Sequence, residues 1–304
     1  MASRTRGWTA AWLVASLAGH IGALVAVWWV FVRTARGQFA DTVALAGNTI
    51  GRARVEHLVT QVLDVISVLS LLVATALIGF IALARRRVVL AGVAVLLVVG
   101  SNVTTQFLKY VAIHRPDLGV ENANISVNSM PSGHTTVAAS VAVALVLVVP
   151  PRLRGLAAVL GAGYAALTGV ATLSAGWHRP SDAVAALIVV GGWAAGAGLL
   201  LVLTRRDDPS PRDAHPYTVV LLAGTGLALL AVAAMALWVS DQSFGTGVLE
   251  LSRRRLFAAY AGGAVGIAGT AALMMALVLS TVHEVVPSRG ARARRPPDAL
   301  VKPS

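Results

Sequence analysis

The sequence predicts an all-α integral membrane protein of about eight transmembrane helices, and three observations predict it. Hydrophobic residues make up 57% of the 304 and charged residues only 12%, with a mean hydropathy of +0.76; a soluble domain carries about a quarter charged residues. The apolar residues fall into runs of about 20, the length of a helix that crosses a bilayer. Arginine clusters occupy the short breaks between runs, where they orient spans and meet anionic headgroups. The last point excludes reading the net charge of +12 as a nucleic-acid footprint, so no nucleic-acid partner is expected. Cysteine is absent and carries no redox information.

The runs extend approximately from Trp8 to Val32, Leu58 to Ala84, Val88 to Val111, Thr135 to Val149, Gly155 to Gly176, Ala183 to Leu203, Tyr217 to Val239 and Leu256 to Thr281. Arg85, Arg86 and Arg87 divide the second from the third, and the fourth is short enough to begin a few residues earlier. The first follows Arg4 and Arg6 as a signal peptide does, but its apolar length exceeds a signal core, which reads as a retained anchor. Alternate loops that include both termini hold most of the Lys and Arg residues. That bias predicts a multi-pass protein of the cytoplasmic (plasma) membrane with both termini cytoplasmic. Trp8 and Trp12 at one end of the first run, with Trp28 and Trp29 at the other, read as interface anchors.

Between Thr34 and His57, Phe39, Val43, Ala46 and Ile50 recur at helical spacing while Asp41, Asn48 and Arg52 fall off that face. This pattern predicts an interfacial helix lying on the membrane, either a plain connection or a cover for a site mouth. Residues 205–216 read as a cytoplasmic loop, 217–281 as two further spans, and 282–304 as a basic, disordered tail in reach of lipid headgroups.

Chemistry-bearing residues gather in two of the predicted outer loops. Lys109 ends the third run and Arg115–Pro116 follow it; lysine otherwise occurs only at Lys302. The fourth run opens on Asn128–Thr135, in which Pro131, Ser132 and Gly133 precede His134. Ser132 is a natural N-cap, and the unpaired N–H groups of a helix start form an anion site. At the end of the fifth run stand Trp177, His178, Arg179, Pro180, Ser181 and Asp182. Pro180 suits a first helical turn, which lets His178 and Asp182, four apart, meet at one helix start.

This set is complete for attack on a phosphate. Neutral His178 is a nucleophile if Asp182 accepts its other N–H and fixes the tautomer. Protonated His134 can give a proton to the leaving oxygen. Lys109, Arg115 and the N–H groups near Ser132 and Gly133 can neutralise phosphoryl charge. The scheme calls for no cofactor and no metal, and the sequence has no carboxylate cluster to hold one.

On these residues the chain resembles the type 2 phosphatidic acid phosphatase family, the membrane lipid phosphate phosphatases. The family pattern is a Lys followed by Arg-Pro, then Pro-Ser-Gly-His, then a Ser-Arg pair ahead of a His with Asp four further on. The resemblance implies a six-span phosphatase-like core within residues 1–204, its motifs within 109–182, followed by two additional C-terminal helices. It also implies a phosphohistidine on His178, with His134 as acid, Asp182 as orienter, and Lys109 and Arg115 on the phosphate. Two departures stand out. Five residues, not six, separate Lys109 from Arg115, and the Ser-Arg pair falls on Ala171 and Thr172. The resemblance therefore describes a divergent member lacking one phosphate-binding Arg, for which Arg179 or the Arg253–Arg255 cluster are candidate substitutes. The expected activity is metal-independent hydrolysis of a lipid phosphate or prenyl (pyro)phosphate at the extracytoplasmic face. The rivals are a lipid phosphotransferase using the same histidine and a non-catalytic lipid-phosphate binding protein.

Overall fold

The computed structural model describes residues 2–50, 61, 68–84, 86–120, 128–204 and 214–286. Among them are nine α-helices: α1 (Ala2–Arg33), α2 (Ala35–Ala46), α3 (Val68–Ala84), α4 (Val88–Phe107), α5 (Gly133–Val148), α6 (Pro151–Ser174), α7 (Pro180–Thr204), α8 (Pro216–Asp241) and α9 (Arg253–Val285). No strand occurs among the described residues. Six helices, α1, α4, α6, α7, α8 and α9, are long and apolar enough to cross a membrane, and the chain is an all-α multi-pass membrane protein.

The predicted spans recur with shifted ends. The first part of the predicted Leu58–Ala84 run lies outside the described residues, and its remainder is α3. At the predicted Arg85–Arg87 break, of which Arg85 lies outside the described residues, Arg86 takes φ +54° and the Arg86 and Arg87 amides close back on Leu83 and Ala82. The fourth run becomes α5, which begins at Gly133, two residues before the predicted start, because Ser132 caps it there. Its 16 residues span about 24 Å, less than the hydrocarbon thickness of a bilayer. The predicted last run is longer than expected: α9 starts at Arg253, capped by Ser252, and continues to Val285. Residues 205–213 of the predicted loop and 287–304 of the predicted tail lie outside the described residues.

Burial sorts the helices into centre and flank. The apolar window is 61% buried in α7 and 56% in α9, against 6% in α1 and 17% in α8, so α7 and α9 are central and α1 and α8 face lipid. One core runs through α4, α5, α6, α7 and α9, with Leu97, Val143, Leu187, Ile267 and Met275 all buried in it. The core is thus continuous across residue 204, and α9 is part of it. Small residues let the helices approach, as expected where lipid offers no hydrophobic contrast. A Cβ on Gly169 would lie 2.6 Å from Ile267, and one on Gly263 would lie 2.5 Å from Pro180.

Polar contacts fix which ends lie together. Arg6 donates to the Val202 carbonyl (3.0 Å), Thr9 pairs with Glu284, and the buried Arg154 donates to the Val286 carbonyl (2.9 Å). The start of α1, the end of α7 and the end of α9 therefore share one end of the bundle. The end of α4 and the starts of α5 and α7 meet at the other, together with α2.

There α2 departs from expectation. It does not lie on the surface with Asp41 and Asn48 turned to water: residues 37–45 are buried without a break, and Asp41 and Asn48 are buried too. The apolar stripe packs on Val248, Leu251 and Ala259, while the polar face meets protein and not solvent. Gln38 donates to the Val32 (2.9 Å) and Pro116 (3.0 Å) carbonyls, and Asn48 donates to the Leu173 carbonyl (3.3 Å). The periodicity identified the helix, but a second, polar set of partners covers its other side.

Candidate functional site

The site is built around the turn that enters α7. The α6 helix ends at Ser174, and the Trp177 and His178 amides both donate back to the Thr172 carbonyl, at 3.0 and 3.3 Å. Pro180 is the first residue of α7, where its missing N–H costs nothing. One turn on, Asp182 is fully buried and its Oδ2 collects three donors: His178 Nδ1 at 3.3 Å, the Ser129 hydroxyl at 2.5 Å and the Arg179 amide at 2.9 Å. A carboxylate oxygen in that position makes Nδ1 the protonated nitrogen of His178 and leaves Nε2 with its lone pair.

The opening of α5 is tied to the same turn. The Ser132 amide donates to the Asp182 carbonyl (2.9 Å), and the Ser132 hydroxyl accepts from the Thr135 amide (3.4 Å) and hydroxyl (3.0 Å). Ser132 is the predicted N-cap, but its own N–H is engaged with α7. The N–H groups of Gly133 and His134, at the helix start without a preceding turn to bond, are the ones placed to face an anion. Asn128 braces the approach, donating to the Lys109 (3.0 Å) and Met130 (3.1 Å) carbonyls. His134 and Trp177 stand with ring centroids 5.5 Å apart, which brings the two sequence motifs face to face.

Of the predicted cations, Lys109 lies in a widened turn of five residues, Leu108–Ala112, that closes α4 through an i→i−5 bond from Ile113 to Leu108. Such turns recur at functional sites. Lys109 and His178 are both within electrostatic reach of His134. Arg115 is half-buried; desolvation first, then the neighbouring Arg179 charge, pull it below its ordinary value, while Asp41 and Asp182 pull it up. Arg179 is buried, with its guanidinium 3.5 Å from the Ser129 hydroxyl. The structure thus gathers His178, Asp182, His134, Ser132, Gly133, Lys109, Arg115 and Arg179 at one end of the bundle. The Arg253–Arg255 cluster, the other candidate substitute, is exposed, and Arg255 donates to Ser243 (3.0 Å). Thr172, at the place of the family Arg, is fully buried and bonds the Gly169 carbonyl of its own helix (2.8 Å).

Two residues of the cluster escape sequence reasoning. Ser129 precedes the Pro-Ser-Gly-His motif and meets Asp182 from 53 positions away. Asp41, from α2, accepts from the Ser181 amide (3.2 Å) and hydroxyl. Burial foremost, with the Asp182 charge, pushes the Asp41 carboxyl up to about 6, against the pull of Ser181, Arg115 and Arg179. Its place off the apolar stripe of α2 was the only trace of it. No group of three or more His, Cys, Asp or Glu that could hold a metal ion occurs among the described residues.

Fold and site together define a helical multi-pass membrane protein with a buried His–Asp pair among arginines at one end of its bundle. Residues 87–208 match the family model of the PAP2 superfamily, a match consistent with the type 2 phosphatidic acid phosphatases. The match begins just before α4 and ends just past α7, so it contains Lys109, Arg115, Ser132, Gly133, His134, His178, Arg179 and Asp182 but not the Arg253–Arg255 cluster. The superfamily points to phosphatase-type activity on phosphate esters. No curated protein and no solved structure matches the chain.

Proposed function

We propose that the protein hydrolyses a membrane lipid phosphate or prenyl (pyro)phosphate through a phosphohistidine on His178. The observation that carries this reading is the buried His178–Asp182 pair: with Nδ1 engaged by Asp182, Nε2 is the nitrogen left to act as nucleophile, and His134, Lys109, Arg115 and Arg179 lie at the same end of the bundle. In the first step Nε2 bonds to phosphorus and the P–O bond to the leaving group breaks. The oxygen leaves with the electron pair and takes a proton from His134, while Asp182 stabilises the imidazolium. Water then attacks the phosphohistidine and gives its proton to His134; the P–N bond breaks and the pair returns to Nε2. Lys109, Arg115, Arg179 and the amides of Gly133 and His134 neutralise the phosphoryl oxygens, with Arg179 standing in for the absent Arg at Thr172.

Membrane embedding supports a lipid substrate. Trp177 and Tyr110 are exposed at the site end, as aromatics at headgroup level are, and a headgroup can enter sideways from the bilayer. The Lys and Arg bias supports placing that end on the extracytoplasmic side of the cytoplasmic membrane. The test is phosphate release by the purified protein in detergent from long-chain lipid monophosphates, prenyl mono- and diphosphates and a water-soluble phosphate ester. Release that disappears in His178→Ala supports the reading, and full activity in that variant overturns the mechanism. Thr172 favours a second reading, a lipid-phosphate binder without turnover. Tight binding with no release from any substrate, even after Thr172→Arg, would select it.

A further inference from the structure

Helix α1 packs on α7 and α2, and α8 packs on α9, which leaves a slot between the two pairs. Its outer part is an apolar cavity of about 460 Å³ between α1, α7, α8 and α9, and its inner part is one of about 190 Å³ beneath α2. The two adjoin, because Val184, Leu230 and Thr270 line both. Along α9 the walls run from Ala259 to Leu277, about 27 Å and most of the hydrocarbon depth of a bilayer. On α1 the wall is Ala15, Gly19 and Ala23, small exposed residues four apart. The inner end abuts Pro180 and Ser181, behind the turn that carries His178.

The chemistry of the walls selects the occupant. Every polar side chain on the inner cavity already has a partner: Asp41 holds the amide and hydroxyl of Ser181, the Ser240 hydroxyl donates to the Ala236 carbonyl and the Thr270 hydroxyl to the Gly266 carbonyl, both at 2.8 Å. In the outer cavity, His20 Nδ1 donates to the Ser16 carbonyl (2.7 Å) and Nε2 is tucked against Gly191. These walls offer nothing to a polar ligand, and at this depth a bilayer supplies hydrocarbon and not water. A helix from a second copy does not fit, since about 27 Å of helix fills about 2,000 Å³. The substrate's tail is on the wrong side: Asp182 is bonded by Ser129 and Ser132 toward α5, whereas Asp41 and Ser181, bonded to each other, face the slot. We propose that the slot binds one acyl chain of a bilayer phospholipid distinct from the substrate. The end of that chain lodges against Pro180 and Ser181 and supports the turn that carries His178, making the contacts an empty cavity forfeits. Two of its walls, α8 and α9, lie outside the matched segment 87–208.

The probe is a phosphatidylcholine with a photoreactive group at the end of one acyl chain, added as a minor component to phosphatidylcholine nanodiscs that hold the full chain. Illumination and peptide mapping are expected to label the inner walls, at Ala233, Gly263 and Thr270, in the wild type. Gly19→Leu fills the slot from α1, where nothing lies within 4 Å of a new Cβ, and should cut that labelling several-fold. Gly22→Leu, equally free of neighbours but off the slot, should leave it unchanged. Stripped of lipid in detergent, the wild type should melt several degrees higher once phosphatidylcholine is added back, and Gly19→Leu should gain much less. Labelling confined to the outward faces of α1 and α8 in the wild type overturns the proposal, a result that needs no variant to fold. Equal labelling of the inner walls in both variants overturns it too. So does labelling displaced by excess lipid monophosphate but not by excess phosphatidylcholine, which would assign the slot to the substrate's tail. Labelling needs no turnover, so its failure leaves the phosphatase reading standing, and absence of phosphate release leaves this site standing.

Discussion

At the scale of single residues, the site is a set of hydrogen bonds aimed at one oxygen, Asp182 Oδ2. Asp182→Asn keeps the volume but offers an amide where three donors converge, and the His178 tautomer is no longer dictated. We expect kcat on any accepted lipid phosphate to fall by about 10³-fold or more with the fold retained, read by phosphate release alongside a melting curve. For the missing cation, Arg179→Ala should cost about 10²- to 10³-fold in kcat/KM. Adding Thr172→Arg should recover part of that loss, and no recovery would separate Arg179 from the family Arg's task. Asp41 makes a pH prediction. Its folded value of about 6 exceeds the ordinary 3.8, so between those values the folded chain holds the proton more tightly than the unfolded chain. Stability should therefore decline as pH rises from 4 to 6, by about 3 kcal/mol at most, and level off above. Melting points of wild type and Asp41→Asn across that range should converge at low pH and part at high pH, with the variant the more stable. His178, Asp182 and His134 were legible in the sequence because each sits in a short motif with its chemistry in local spacing. Ser129 and Asp41 were not, because their partners lie 53 and 140 positions away.

At the scale of elements, hydropathy marked most span ends to within a few residues, since a membrane rewards apolar length before any packing is known. It misplaced α2, whose alternation of apolar and polar faces reads as a surface helix when one face meets lipid. The polar face instead finds Ser181, the Pro116 carbonyl and the Leu173 carbonyl. Hydropathy was also silent on why α9 exists. Gly263 of α9 lies against Pro180, Tyr260 bonds Ser174 at the end of α6 (2.7 Å), and Gly47 lies under the Leu256 backbone. The helix beyond the matched family segment thus buttresses both sides of the His178 turn. Gly263→Val puts atoms where Pro180 already stands, and overpacking of this kind costs about 1–3 kcal/mol. We expect that variant to lose activity out of proportion to its fall in melting point, because the strain enters at the turn carrying the nucleophile. Gly224→Val, at a glycine with open space around it, is the matched control.

At the scale of the whole molecule, the family resemblance and the core disagree about where the functional unit ends. The motifs suggest that residues 1–204 form the catalytic body and that α8 and α9 are an appendage. The core does not stop there: Ile267, Ala271, Met275, Leu279 and Val282 are buried together with residues of α4 to α7. The α9 helix also holds the α2 side of the site through Ala259. Lipid tails could cover an apolar face left bare, but they cannot replace Gly263 against Pro180 or the Tyr260 hydroxyl on Ser174. Truncation after residue 204 removes two crossings at once and leaves the orientation of every preceding span unchanged, so any defect reports packing and not topology. We expect the truncated chain to insert in the membrane but to lack a cooperative melting transition and phosphatase activity in detergent. Co-expression of residues 205–304 as a separate chain should restore both, since the contacts it supplies are side-chain packing that needs no covalent link. Full activity of the truncated chain alone would show that α9 is dispensable and that the buttress seen at Pro180 carries no functional weight.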